Sequence, residues 1–350
     1  MIVRRKGIRP LGSEQGGAKS GEIVLRHVMK LLLALLVSGT LIGATIGPTW
    51  AQTAYPNRPI RVIIPFGPGG FADITMRLVG QKLSERLGQQ VVIENRPSAG
   101  GIIAASAVTS AQPDGYTLFV LSSGIALSKA LLKTMPFDPG TAFTPVSTLA
   151  FFDLLLLVKA DSAMKTLQDA LALAKKDPAK FNVGTISPGS TQNVMGELFR
   201  SATGIPMTIV PYRTSGDVLT SLLRDDTQIG VESYAALKSA IDAKTIRAIA
   251  ASGDKRSPQQ PDVPTLKESG IDAEVVGWNA LVAPAGTPKD VIAILNGHVR
   301  AIVDADDFKK KMLEMGGVAG ASSPEELDKR LQADIAMWAA VVKKAGLEPH

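Results

Sequence analysis

The feature that most constrains this chain is a repeated alternation: an apolar strand, a Gly- or Ser-rich turn, then a helix. It runs from residue 60 to residue 251. Residues 60–64 are apolar but for Arg61, and 73–87 carry a helical stripe at Met76, Val79, Leu83 and Leu87 before Gly88. Strands are expected at 91–94 and 117–121, with a small-residue helix at 102–111 between them. Such a βαβαβ unit requires a parallel sheet covered on both faces.

A second unit follows a strand at 154–158. Its helices are expected at 166–176, 191–202, 216–224 and 234–242, and its strands at 181–185, 208–212, 228–231 and 247–251. A strand at 275–283 returns to the first unit, and a helix at 288–303 follows. Ser323-Pro-Glu-Glu326 is a capping box opening a last helix with Leu327, Leu331, Ile335, Trp338 and Val342 on one face. Two helices with no new strand are expected to cover the first sheet. The expected organisation is an extension and signal over 1–51, a first lobe over 52–153 completed by 275–350, and a second lobe over 154–274. The chain crosses between lobes twice, which makes a hinge with a cleft suited to closure on a ligand.

The amino end reads as an export signal. Met29-Lys30 precedes an apolar run over 31–46, shorter than the ~20 residues that span a membrane. Ala51 stands where a signal peptidase cuts, which puts the mature start near Gln52, with Met1 and Met29 both open as initiator. Of 38 basic and 32 acidic residues, seven and two precede residue 52, so the mature chain carries 31 and 30, a net charge of +1. The basic balance of the whole chain is thus a leader effect and gives no argument for nucleic-acid binding. With no cysteine there are no disulfides or thiolate metal sites, and three histidines supply no zinc cluster. No cofactor is expected.

The chemistry lies in the turns. Gly67, Gly69, Gly70, Phe71, Ala72 and Asp73 join the first strand to its helix, where free backbone N–H groups meet an anion. Asp73 reads either as a first-turn acid or as a pocket residue. The same turn also fits a G-x-G-x-x-A dinucleotide fingerprint, with Glu94 placed for a ribose. Against that reading, Pro68 removes a donor and no acid/base partner for hydride transfer is visible. Ser187, Gly189, Ser190 and Thr191 repeat the device in the second unit. Tyr212, Thr214 and Ser215 do so again, with Ser215 expected as helix cap and Thr214 facing the turn. Ser122 and Ser123 form an edge loop, and Glu232 ends a further strand. Strand ends of parallel sheets converge, so these loops should face one another across the cleft. No serine has glycine at both −2 and +2, and no histidine lies near the strand-end loops, so nucleophilic catalysis has no candidates.

Taken in order, several motifs closely resemble the receptors of tripartite tricarboxylate transporters, the Bug-type extracytoplasmic solute receptors. They are Tyr55-Pro-x-Arg-Pro-Ile-Arg61, Pro65-Phe-x-Pro-Gly-Gly70 with Asp73, Glu94-Asn-Arg-Pro97 with Gly100-Gly101, and Pro113-Asp-Gly-Tyr-Thr117. Val210-Pro-Tyr212, Lys255-Arg-Ser257, Pro261-Asp-Val-Pro-Thr265 and Ala283-Pro-Ala-Gly-Thr-Pro288 extend the match. The resemblance implies an α/β type II periplasmic-binding-protein fold without catalysis. It implies a small carboxylate held by backbone amides, hydroxyls and waters, and delivery to membrane subunits. A monomer in the periplasm is expected; a ligand-sensing receptor for a signalling partner is the alternative. The chain departs from the family at Phe71 and Ala72, where a glycine and a Thr or Ser are usual. It departs again at Glu232-Ser233 and at Arg213. Phe71 could seal the pocket and favour a bulkier or aromatic acid, or pack inward.

Overall fold

The computed structural model describes residues 26–30, 55–132, 134–257 and 259–344. Residues 1–53 form a unit of their own, of which only the helical stretch 26–30 is described. The apolar run at 31–46 and the cut after Ala51 lie outside the described residues. Residues 54–350 form the other, larger unit.

Its first strand, β1 (Ile60–Ile64), is buried along its length except at Arg61. Helix α1 (Phe71–Leu87) turns Phe71, Met76, Val79 and Leu83 inward and stops at Gly88, which takes φ 64°. That left-handed angle is one only glycine adopts cheaply. Next come β2 (Val91–Asn95), α2 (Ile102–Thr109), β3 (Thr117–Ser122) and α3 (Ser123–Leu131). β1 lies between β2 and β3 with parallel pairing to both. Helix α3 corrects the expected edge loop: the chain passes from strand to helix at Ser122 with no loop between. Its small, uneven residues carried no stripe that periodicity could detect.

Strand β4 (Phe143–Lys159) is the spine of the molecule. Sequence periodicity caught only its second half. Residues 143–153 pair antiparallel with β9 (Val276–Pro284), which in turn pairs antiparallel with β3. Residues 154–159 pair instead with β7 (Ile229–Ser233) and β8 (Ile246–Ala251). The second sheet continues through β5 (Asn182–Ile186) to β6 (Thr208–Tyr212), all parallel. Its helices are α4 (Leu167–Lys176), α5 (Thr191–Thr203), α6 (Ser215–Leu223) and α7 (Tyr234–Asp242). Two α/β lobes thus share β4, and the parallel strands of each point their carboxyl ends at a common edge.

The carboxyl-terminal part holds three helices and a strand rather than two helices alone. They are α8 (Lys289–Val303), α9 (Asp306–Glu314), β10 (Gly317–Ala319) and α10 (Pro324–Lys344). β10 pairs antiparallel with residues 150–152 of β4. Three residues are too few for a strand signal, and α9 buries only Phe308 and Met312 among charged neighbours.

The chain crosses between lobes at two adjacent points, and Ser252 staples them. Its buried Oγ accepts from the Leu154 N–H at 2.9 Å and donates to the Val275 carbonyl at 2.6 Å. Beside it Asp153, paired in register with Val276, faces Asp254 and Glu274. Burial first, then those two acids, push the Asp153 pKa up to about 6. The sign is fixed by linkage: an acid whose folded pKa exceeds its unfolded ~3.9 stabilises the fold while protonated. That stability is lost as pH rises from about 4 through 6. Asp153→Asn is therefore expected to stabilise the protein by about 1–3 kcal/mol near pH 7.5 and to do little near pH 4. Calorimetric melting of both proteins across this range checks it; parallel curves would refute the role of Asp153.

Candidate functional site

Four strand–helix junctions meet at the cleft, and each helix start is handled differently. At α1 the cap is Gly70, extended and without a side-chain acceptor. At α3 the cap is Ser122, whose side chain also caps nothing. At α5, Ser190 Oγ accepts from the Asn193 N–H. At α6, Thr214 forms a capping box with Asp217. This corrects the sequence reading, which made Ser215 the cap. Threonine fits because its Oγ1 accepts the third-residue N–H while Asp217 returns the bond. Ser215, released from capping, aims its hydroxyl at Glu232.

The lobe-one starts are therefore the ones with donors to spare. The first N–H groups of a helix have no intrahelical partner and carry the positive end of its dipole. Between these starts lies a narrow cavity of ≈ 20 Å³, room for about one water-sized group. Gly70, Phe71, Ala72, Ser122 and Thr191 line it, all expected from sequence. So do Phe66, Phe152, Ile186, Gln192 and Asn279, which sequence reasoning missed. Among the described residues it meets no Lys, Arg or His.

Two polar atoms at this cavity are buried with no protein partner: Ser122 Oγ and Asn279 Nδ2. Both residues are 1% exposed, and they face each other in register across β3 and β9. Leaving a buried donor unmade costs roughly 1–3 kcal/mol, so each of these atoms calls for a partner from outside the protein, a water or a ligand. Asn279 had a legible signal: it is the lone amide in the apolar strand Val276–Pro284. Two larger hollows, ≈ 480 Å³ beside Trp338 and ≈ 510 Å³ beside Arg330, are open grooves without such atoms.

The remaining candidates brace the cavity instead of lining it. Asp73, 3% exposed, accepts from the Gly69 N–H, Arg77 and Asn95 Nδ2, each at 2.9–3.0 Å. Burial alone would raise its pKa; the bonds from Arg77, Gly69 and Asn95 outweigh that and hold it below the usual range. Gly69 thereby gives to Asp73 the N–H expected for an anion. Glu232 is fully buried and accepts from Gln192, Ser215 and Ser233. Phe71 packs inward on Phe152, ring centroids 4.4 Å apart, while one face of the pair meets the cavity. Ser187, Tyr212 and Arg213 line a separate outer hollow of ≈ 230 Å³. Glu94, the acid a ribose would need, is bonded to Arg96 at 2.6 Å.

Direct contacts close the cleft. Ser123 Oγ and Thr191 Oγ1 lie 2.9 Å apart, and the Gly100 N–H donates to the Pro188 carbonyl at 2.8 Å. Gly67 abuts Thr214, and Gly189 abuts Gly100 and Ser128 so closely that a Cβ on either glycine would clash. An uncharged cradle of helix starts, hydroxyls and two amides, walled by aromatic rings, suits the carboxylate of a small acid. A ligand larger than a water enters only when the lobes part.

Residues 75–347 match the family described as tripartite tricarboxylate transporter family receptor. Rpa4515 of R. palustris, solved with adipate, is 34% identical with a TM-score of 0.81, covering 85% of this chain and 100% of that one. MatC from Rhodopseudomonas palustris, with bound malate, is 30% identical with a TM-score of 0.79, covering 82% and 100%. The periplasmic binding protein BugD is 28% identical with a TM-score of 0.80, covering 85% and 100%. The fold is thus that of the two-lobed periplasmic binding proteins. By its motifs, its fold and its match over most of its length, the chain belongs to the tripartite tricarboxylate transporter receptor family.

Proposed function

We propose that this receptor is exported by a cleavable signal, binds a small organic carboxylate between its lobes and hands it unchanged to membrane subunits of a tripartite tricarboxylate-type transporter. Residues 52–153 and 275–350 form one lobe and 154–274 the other. The observation that carries the reading is the pair of buried, unpartnered donors, Ser122 Oγ and Asn279 Nδ2, set beside the uncapped starts of α1 and α3. Relatives solved with adipate and malate support a carboxylate as their partner. The carboxylate lies on the lobe-one donors, and Thr191 and Gln192 close over the rest of the ligand from the second lobe. Gly67, Gly69, Asp73, Gly189, Ser190, Thr214, Ser215 and Glu232 hold those groups in place, while Ser187 and Tyr212 border the mouth.

A thermal-shift screen of mono-, di- and tricarboxylates tests the reading. A cognate acid at ~100 times its dissociation constant stabilises the fold by about 2.7 kcal/mol. At roughly 2–4 °C per kcal/mol, the melting point rises by several degrees. Absence of any shift across the set would overturn carboxylate binding, and chemical conversion of the stabilising acid would overturn delivery without turnover.

A further inference from the structure

The second side of the cavity is set by a carboxyl that never reaches it. Glu232 Oε1 accepts from the Ser233 backbone N–H at 2.7 Å and from Gln192 Nε2 at 2.7 Å. Ser215 Oγ lies 2.5 Å from the other oxygen, Oε2. The Ser233 amide decides the orientation of everything else. A backbone N–H can only donate, so Oε1 accepts from it; the ionised carboxyl has no donor of its own, so Gln192 must donate to it as well. Oε1 already takes two N–H donors, whereas the Ser215 hydroxyl beside Oε2 can accept, so a proton bound by Glu232 is best placed on Oε2. Gln192 must then turn its NH₂ to Glu232, and its amide oxygen is left as a free acceptor on a residue that lines the cavity.

We infer that the Glu232–Gln192 pair makes the lobe-two side of the cavity a hydrogen-bond acceptor, selecting a monocarboxylate with a neutral donor such as a hydroxyl at its far end and rejecting a second carboxylate there. This rests on the carboxylate reading above. One end of the ligand is met by donors, Ser122 Oγ and Asn279 Nδ2. The other meets the Gln192 oxygen, with a buried carboxyl behind it and no cationic side chain among the described lining residues. A hydroxyl donates to that oxygen. A carboxylate there would set lone pair against lone pair and charge beside Glu232. Such a repulsive element adds to the discrimination that fit supplies. Once the lobes part to admit the ligand, Phe66, Phe71, Phe152 and Ile186 offer an apolar wall to the methylenes between its two ends.

The test is calorimetric titration of the mature protein with butyrate, 4-hydroxybutyrate and succinate, and with their six-carbon counterparts. In the better-bound series, the hydroxy acid is expected to bind at least tenfold tighter than the plain acid, and the dicarboxylate weakest. Gln192→Met removes the acceptor and should bring the hydroxy and plain acids to near-equal affinity. Glu232→Gln keeps an oxygen for the Ser233 and Gln192 donors and should retain the hydroxyl preference. Glu232→Leu frees Gln192 to flip and should lose it; if that variant fails to fold, Gln192→Met decides. Dicarboxylates binding the wild type as tightly as hydroxy acids, or an undiminished hydroxyl preference in Gln192→Met, would overturn the inference alone. No binding by any acid, here and across the wider screen, would overturn the carboxylate reading with it.

Discussion

Gly124→Ala leaves the protein folded and removes its tight binding. Gly124 is the second residue of α3 and has an ordinary helical backbone, so alanine is tolerated there and even favoured by helix propensity, by up to ~1 kcal/mol. What it cannot tolerate is the closed cleft. A Cβ at 124 would lie 2.5 Å from the Thr191 nitrogen and 2.6 Å from both the Gly189 oxygen and the Ser190 carbonyl carbon. All three are backbone atoms of the opposite lobe, so no rotamer change relieves them. The methyl therefore acts only on the closed state, wedging apart α3 and the start of α5. Ligand binding that depends on closure loses at least about 100-fold, or ~2.7 kcal/mol, while the unliganded melting point holds or rises. Gly297→Ala is the control, since a Cβ there meets nothing within 4 Å. Titration calorimetry with small-angle scattering gives the answer: the variant should neither bind tightly nor compact with ligand. Affinity within threefold of wild type would show that these contacts are absent from the liganded state.

The alternation of strand, turn and helix was legible from sequence because each segment announces itself. β1 is a run of buried aliphatics, α1 a stripe ending in Gly88, and α4 opens with a Thr166–Asp169 capping box. What stayed hidden was whatever depends on a partner distant in sequence. β10 exists because β4 offers it an edge, and α9 because Phe308 and Met312 find a core. Roles of polar residues were hidden for the same reason. Asp73 and Glu232 stand at strand–helix junctions, where an acid could face a ligand or hold the frame. Only the placement of Arg77, Asn95, Gln192 and Ser215 decides for the frame. Phe71 read either as a selector at the cleft mouth or as a residue packed inward, and it also lines the cavity. Its ring packs on Phe152, itself on the unrecognised half of β4, a partner that sequence alone did not offer. Asn279 is the converse case: composition marked it as odd, yet its meaning appears only once Ser122 lies opposite it with no partner for either.

Asn279→Asp reverses one atom of the cavity and should cost about 100-fold or more in carboxylate affinity near neutral pH. The side chain keeps its shape, but the buried Nδ2 donor becomes a carboxylate oxygen facing the ligand's own. Like charges this close inside a water-poor cavity cannot both stay ionised cheaply. The pH dependence separates this cause from misfolding. Burial in an uncharged site raises the pKa of the new acid, so its neutral form, which offers an O–H donor, gains ground as pH falls. Affinity of the variant should therefore climb between about pH 8 and pH 5, where wild-type affinity stays flat until the ligand itself protonates near ~4–5. Stability moves with the same sign. A folded pKa above the unfolded ~3.9 means that the unliganded variant loses stability as pH rises through the folded value. Melting points and dissociation constants measured side by side across this range check both trends. If the variant binds its acid as wild type does at about pH 7.5, Asn279 does not touch the carboxylate, and the anionic end of the ligand lies elsewhere in the cleft.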